Sequence, residues 1–192
     1  MNRPSLKDMS NEELWQLFPI ILCQHDDNWP NLYLKEKEKI LNNIDQELFV
    51  RIDHIGSTAV KGLIAKPTID ILLQIKPLTE LSRGKLIRSL EDIDYIYQYQ
   101  PQRQEPKMMF MKGYTINGFA SEVYHLHVRY QGDDDERYFC RYLVEHPVVA
   151  NEYKDLKIRL AKKFEHDRDA YTKAKTTFIS HYTKIAKKLY QD

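Results

Sequence analysis

Apolar residues recur along this chain with two periods, and the changes of period mark the elements. From Ser10 to Phe18 a Ser-x-x-Glu start (Ser10, Glu13) precedes Leu14, Leu17 and Phe18 at helical spacing, and Pro19 closes the run. A second helix is predicted from Pro30 to about Asp45. Its apolar stripe is Leu32, Leu34, Ile40, Leu41 and Ile44, with Lys35 to Lys39 toward water. The period then drops to two. Leu48 to Ile55 reads as a strand broken at Gly56-Ser57. Thr68 to Ile75 reads as another, with Ile69, Ile71, Leu73 and Ile75 on an apolar face and Thr68, Asp70, Leu72 and Gln74 on a mixed one.

Pro77-Leu78-Thr79 opens a helix carrying Leu81, Leu86, Ile87 and Leu90, and Tyr95 to Gln100 predicts a short tyrosine-rich strand. Lys107 to Ile116 and Phe119 to Tyr130 flank Asn117-Gly118, which predicts a type I′ hairpin. The remainder is helical. The acidic run Asp133 to Glu136 reads as the first turn of a helix rather than a metal site, ahead of Tyr138, Tyr142 and Leu143. Pro147 starts the next helix, with Tyr153, Leu156, Leu160 and Phe164, and a last one runs from about Asp167 through Tyr171, Phe178, Tyr182, Ile185 and Leu189. Helices, a mixed sheet with a hairpin, and a helical C-terminal third make an α/β (α+β) arrangement. It is read as one domain over residues 1–192, with a helical extension over about residues 1–20.

Composition narrows the function classes. The formal net charge of a 192-residue chain is only +1, which argues against a broad electrostatic grip on nucleic acid or an anionic membrane. No apolar run approaches the ~20 residues of a membrane span, and the polar start Met1 to Asp8 has no signal-peptide stretch. Cys23 and Cys140 form no closely spaced pair and read as free thiols of a reducing compartment. The expectation is a cytoplasmic protein.

Candidate chemistry concentrates between His54 and Ile71. Gly56 permits a tight turn or close ligand approach, Ser57 or Thr58 can cap a short helix whose free N–H groups face an anion, and Lys61 and Lys66 can add charge. Asp70, on the less apolar strand face, can hold Mg²⁺ against a phosphate. The segment is no P-loop, because Gly62 is followed by Leu63 and not by Lys-Ser/Thr. On spacing alone the same residues also make an ordinary turn and a strand-end cap.

Two more groups belong with it. His125, His127 and Arg129 share a strand face by alternation, with Glu122 on the opposite one. If that face adjoins Asp70, the imidazoles can ligate a transition metal or act as a base, and Arg129 can hold phosphate. Otherwise they form a half-exposed polar face. Arg168, Tyr171 and Lys175 follow i, i+3, i+7 spacing and, with Lys157, could close over a triphosphate. The plainer expectation is a solvated basic face paired with Asp167 and Glu165.

His54-Ile55-Gly56-Ser57-Thr58, running into Ala65-Lys66-Pro67 and Ile69-Asp70-Ile71, closely resembles the signature of the GrpB family (the uncharacterised family UPF0157). Asp27, Trp29, Lys35, Glu36 and Ile40 resemble its opening pattern, and His125-Leu126-His127-Val128 its second landmark. Arg141, Tyr142, Leu143, His146 and Pro147 follow, then Tyr153, Leu156 and Lys157, then the block Asp167 to Lys175. The likeness runs from about residue 20 to 186.

That resemblance implies a nucleotidyltransferase-like fold. In it a Gly-Ser loop after the first strand holds a nucleoside triphosphate, and carboxylates on the following strands hold Mg²⁺ or another divalent metal. By position, Gly56 and Ser57 match the loop and Asp70 the first carboxylate, whereas Leu72 stands where a second acid is usual. A two-metal site needs ligands for both ions, so this departure counts against transfer. The expected sites are Asp70 as catalytic residue; Gly56, Ser57, Thr58, Lys66, Arg129 and Lys175 for nucleotide or phosphate; and Asp70, His125 and His127 for metal. The implied activity is Mg²⁺-dependent nucleotidyl transfer to an unidentified acceptor. The alternative is a non-catalytic interaction or folding-support module with a protein partner, because family members occur fused to dephospho-coenzyme A kinase and are held to help it fold. A histidine-based metal hydrolase ranks last.

Overall fold

The computed structural model describes residues 6–99 and 107–190. The start of the polar N-terminal run (residues 1–5) and Gln100 of the expected Tyr95–Gln100 strand lie outside them. Helix α1 (Asn11–Leu17) opens on a reciprocal cap: Ser10 Oγ accepts the Glu13 N–H at 3.2 Å, and the Glu13 carboxylate accepts the Ser10 N–H at 2.8 Å. Helix α2 (Trp29–Leu41) ends before Asp45 because side chains take over its last carbonyls. Asn43 Nδ2 donates to Lys39 O at 2.8 Å, and Gln46 Nε2 donates to the carbonyls of Leu41 and Ile44.

The chain continues through β1 (Phe49–Ile55), β2 (Ile69–Ile75), α3 (Glu80–Glu91), β3 (Ile96–Gln98), β4 (Met108–Thr115), β5 (Gly118–Tyr130), α4 (Asp135–Glu145), α5 (Pro147–Lys163) and α6 (Arg168–Tyr190). The five strands form one mixed sheet in the order β1-β2-β5-β4-β3. All neighbours are antiparallel except β2 and β5, which run parallel. A parallel pair cannot be closed by a tight turn, and here α3, β3 and β4 provide the crossover. One face of the sheet, with Ile52, Ile71, Leu73, Ile75, Phe110, Leu126 and Val128, packs with Trp29 and Ile40 of α2 and Leu86 and Leu90 of α3. The opposite face carries the polar residues of β2 and β5, and α4 to α6 stand over part of it. There Gln74 Nε2 donates to Asp133 O and Asp134 Oδ1 at 3.2 and 3.1 Å, tying β2 to the start of α4.

The β4–β5 turn departs from the expected type I′. Its central residues are Ile116 and Asn117, between the paired Thr115 and Gly118. Among the described residues of the hairpin positive φ occurs only at glycines, so neither central residue has the φ that type I′ demands. Thr115 Oγ1 accepts the Asn117 N–H at 3.1 Å and donates to Gly118 O at 2.8 Å, and Gly118 takes the positive φ of 99°. This local side-chain bonding sets the turn one residue earlier.

A second irregularity has a larger consequence. Register between β4 and β5 shifts between Lys112 and Tyr114, at Gly113 with φ 87°. A Cβ there would overlap the carbonyl of Glu122. The bulge interrupts alternation, so Tyr114 joins Met111 and Val123 on the polar-site face, packed with Phe18 behind α1. Cys23 and Cys140 are free thiols. No helix among the described residues is long and apolar enough to cross a membrane.

Gly113→Ala is expected to cost ~3 kcal/mol or more, because backbone strain is compounded by overlap with backbone. Gly62→Ala, also at positive φ but with nothing near its added methyl, should cost about 1 to 2 kcal/mol. Urea denaturation of the two variants checks this; equal losses would mean that the bulge yields freely.

Candidate functional site

Parallel pairing of β2 with β5 sets Asp70 beside His125, Leu72 beside His127 and Gln74 beside Arg129. Asp70 Oδ1 lies 3.2 Å from His125 Nδ1 and 3.5 Å from His127 Nε2. The surrounding donors fix both imidazole tautomers. Arg168 can only donate, and its Nη2 lies 2.6 Å from Tyr114 Oη and 3.3 Å from His125 Nε2, while Tyr114 O–H meets Nε2 at 2.7 Å. Nε2 of His125 is therefore the acceptor, and Nδ1–H donates to Asp70. Arg129 Nη2 likewise approaches His127 Nδ1 at 3.4 Å, which leaves Nε2–H of His127 directed at Asp70. Burial alone would raise Asp70, but the imidazole donors hold its carboxyl well below the usual carboxylate range. Burial pushes His125 down to about 4 against the pull of Asp70. Asp70 is ionised and His125 neutral at pH 7.

The loop between β1 and β2 closes over this carboxylate. Gly56 turns the chain with φ 72°, and a Cβ on it would lie 2.5 Å from Asp70 Oδ2; glycine is required by position as well as by φ. Ser57 begins a short 3₁₀ turn and accepts a hydrogen bond from Lys157 Nζ of α5 at 2.9 Å. Thr58 is buried and faces inward, where Oγ1 donates to Thr68 O at 3.3 Å and meets His54 Nε2 at 3.0 Å. Its hydroxyl braces the loop, and of the two it is Ser57 that meets Lys157.

The C-terminal helices do not form the expected solvated basic face. Tyr171 is 1% exposed and Lys157 is 2% exposed, so the i, i+3, i+7 stripe points inward. The ammonium groups of Lys66 and Lys175 lie 5.9 and 4.2 Å from the centroid of the Tyr171 ring. Burial pushes Lys66 down to about 7, with Arg168 and Lys175 adding to it and Asp70 opposing. Lys157 is pushed down to about 7 by burial and then by Lys175. Burial also takes Lys175 down to about 8, with Asp70 opposing and Arg168 adding. These cations share one field, and Asp70 is the acid that opposes their depression.

Arg129 lies in the cluster but faces protein acceptors. Its guanidinium donates to Glu136 Oε1 at 3.1 and 2.7 Å, to Met108 O at 3.1 Å and to Val128 O at 2.9 Å. It braces the floor and anchors α4. The acidic run there does start a helix, and Glu136 also comes within 3.9 Å of His127 Nδ1. Glu136 and Tyr114 are the site residues that sequence reasoning missed. The short link from Tyr130 to Asp135 could have brought Glu136 near Arg129; alternation puts Tyr114 on the wrong face, and only the bulge reverses it. Asp53, paired with Leu72 across β1 and β2, is a further acid on this face, and it holds Arg51 at 2.6 Å.

Asp70, His125 and His127 offer donor atoms within 4.8 Å of one another, the arrangement of a metal-binding group. One oxygen and two imidazole nitrogens suit a first-row transition ion; Mg²⁺ would be held by Asp70 with phosphate and water oxygens.

The pattern of the GrpB protein family matches residues 19–185. The chain belongs to that family. The glutamate-rich protein GrpB of Alkalihalophilus pseudofirmus is 36% identical over 163 residues, 83% of this chain and 91% of that one. A UPF0157 protein of Pseudomonas aeruginosa is 35% identical over 157 residues, 81% of this chain and 62% of its own length. Among solved structures, the conserved protein GrpB from Enterococcus faecalis overlays at TM-score 0.75 with 26% identity, covering 90% of this GrpB-family chain and all (100%) of that one.

The depressed lysines set a stability trend for this family member. Between about pH 7 and the ordinary lysine value of 10.5 the folded Lys157 binds fewer protons than the unfolded one, so stability rises with pH across that window. Melting temperature should climb from pH 7 to 9 at fixed ionic strength, and Lys157→Met should flatten the climb. An unchanged slope in the variant would show that Lys157 titrates as an ordinary lysine.

Proposed function

We propose that the cleft binds a nucleoside triphosphate or another phosphorylated small molecule, as part of Mg²⁺- or transition-metal-dependent nucleotidyl transfer to an acceptor. The observation that carries this reading is the convergence of Lys66, Lys157, Arg168 and Lys175 around the Ser57 loop and one ionised Asp70. A cluster of four basic side chains around one carboxylate has an excess of positive charge that a polyanion would neutralise, and charges of like sign gathered inside a fold are a mark of function more than of stability. Asp70, His125 and His127 would hold the metal, which would neutralise phosphate oxygens and make phosphorus more electrophilic. A cytoplasmic setting supplies nucleotides and keeps Cys23 and Cys140 reduced.

A second reading has its own observation. Leu72 is 0% exposed and sits between Asp53 and His127, where a second metal-binding acid is usual. It favours a non-catalytic nucleotide-binding or interaction module that supports a protein partner.

Thermal shift with ATP, GTP, CTP and UTP, with Mg²⁺ or Mn²⁺, tests binding. A nucleotide at about 100 times its dissociation constant should add roughly 2.7 kcal/mol, and Lys175→Ala should weaken that response. Labelled nucleotides then test transfer across candidate acceptors, and Asp70→Asn should abolish it. Stabilisation without turnover supports the module, and no response to any nucleotide or to pyrophosphate sinks the phosphate reading.

A further inference from the structure

Ser57 and Lys157 form a contact that anion binding alone does not require. Lys157 comes from the middle of α5, is 2% exposed and has no carboxylate partner among the described residues. Its Nζ has Ser57 Oγ at 2.9 Å, the carbonyl oxygen of Ile64 as a second acceptor, and the Tyr153 ring with its centroid 4.8 Å away. A lysine buried without an acid is costly as a structural anchor, since a neutral donor would hold the same two oxygens without desolvating a charge. Its surroundings instead suit an amine that loses and regains a proton. Ser57 itself is presented at the end of β1 by the Gly56 turn, one residue from the glycine that abuts Asp70.

We propose that Ser57 and Lys157 are a nucleophile and its base, and that Ser57 Oγ takes a nucleotidyl group from the bound nucleoside triphosphate before any acceptor is engaged. This rests on the nucleotide-binding reading above. Ile64 O takes one amine N–H and orients Nζ, so that its lone pair can accept the Ser57 hydroxyl proton. Ser57 Oγ then forms a bond to the α-phosphorus, the bond from that phosphorus to the bridging oxygen breaks, and pyrophosphate leaves with that electron pair. The proton resides on Lys157 Nζ. Lys66, Lys175 and Arg168 are the cations that receive charge on the leaving pyrophosphate. Burial, which brings Lys157 down to about 7, leaves a working fraction of the amine neutral near pH 7. The pair stands on geometry, a nucleophile within hydrogen-bond reach of a base that a third group orients.

The full chain is incubated with each of ATP, GTP, CTP and UTP plus Mn²⁺ and no acceptor, then weighed intact and mapped by peptide mass spectrometry. The expected result is a gain of one nucleoside monophosphate group on Ser57, with exchange of labelled pyrophosphate into the triphosphate. At saturating nucleotide, Ser57→Ala should abolish the adduct. Lys157→Arg, which keeps the charge but cannot act as a base near neutral pH, should slow it by ~10²-fold or more. Lys157→Met serves as the second variant if the arginine disturbs folding, and the mapped site on the unaltered chain depends on neither. A chain that shows the nucleotide thermal shift but no adduct, an adduct that persists in Ser57→Ala, or a gain of a phosphoryl group alone overturns the proposal while leaving nucleotide binding intact. Absence of any nucleotide response removes the binding reading and this one with it.

Discussion

One carboxylate accepting N–H groups from two imidazoles organises the rest of this structure. The contact exists because β2 and β5, the one parallel pair among the described strands, are in a register that places Asp70 level with His125 and one step from His127. Both rings would be free to turn or to change tautomer if nothing else held them. Tyr114 and Arg168 hold one from β4 and α6, and Arg129 holds the other and is itself held by Glu136 of α4. Elements far apart in the chain thus converge on a single aspartate. Outer groups of this kind commonly change the affinity or activity of the inner group by 10- to 100-fold.

Local periodicity was enough to expose the parts of this site that lie along a strand. Asp70 stood out on the mixed face of β2, and His125, His127 and Arg129 followed from alternation in β5. Which face of β5 meets which face of β2 is a matter of register, and register comes from the whole sheet. Tyr114 was hidden for a different reason. Alternation counts it with Phe110 and Lys112, and the bulge at Gly113 moves it across. The C-terminal cations are hard to place from sequence because a charged helix stripe looks alike whether it meets water or the interior of the fold. Tyr171 between Arg168 and Lys175 was the residue that could have decided it, since a fully buried ring draws the flanking cations inward with it.

Leu72 then takes on a structural sense. It is enclosed by Asp53 on one side and His127 on the other, in a fully buried position. An ionised acid there would lie beside Asp53 and near Asp70 with little water to separate them, and like charges so placed push at least one of the acids toward neutrality. The leucine removes that conflict and leaves nitrogen donors from β5 as the neighbours of Asp70. Such a donor set would suit an ion that accepts imidazole better than one that favours an oxygen cage.

The cations carry the same logic at larger scale. Like charges repel most where water is excluded, and here Arg168, Lys175 and Lys157 oppose Lys66, Lys175 opposes Lys157, and Arg168 opposes Lys175, with Asp70 acting the other way on all three lysines. Nothing in the packing of α5 and α6 calls for that many cations, because Tyr153, Phe178 and Tyr182 already join those helices through apolar contact. Burial first, and repulsion from one another second, leads the lysines to give up protons near neutral pH. A polyanion entering the cleft would reverse that choice, drawing protons back on to the amines as it binds. On the proposed function, charge that costs the fold stability would be the means by which it recognises phosphate.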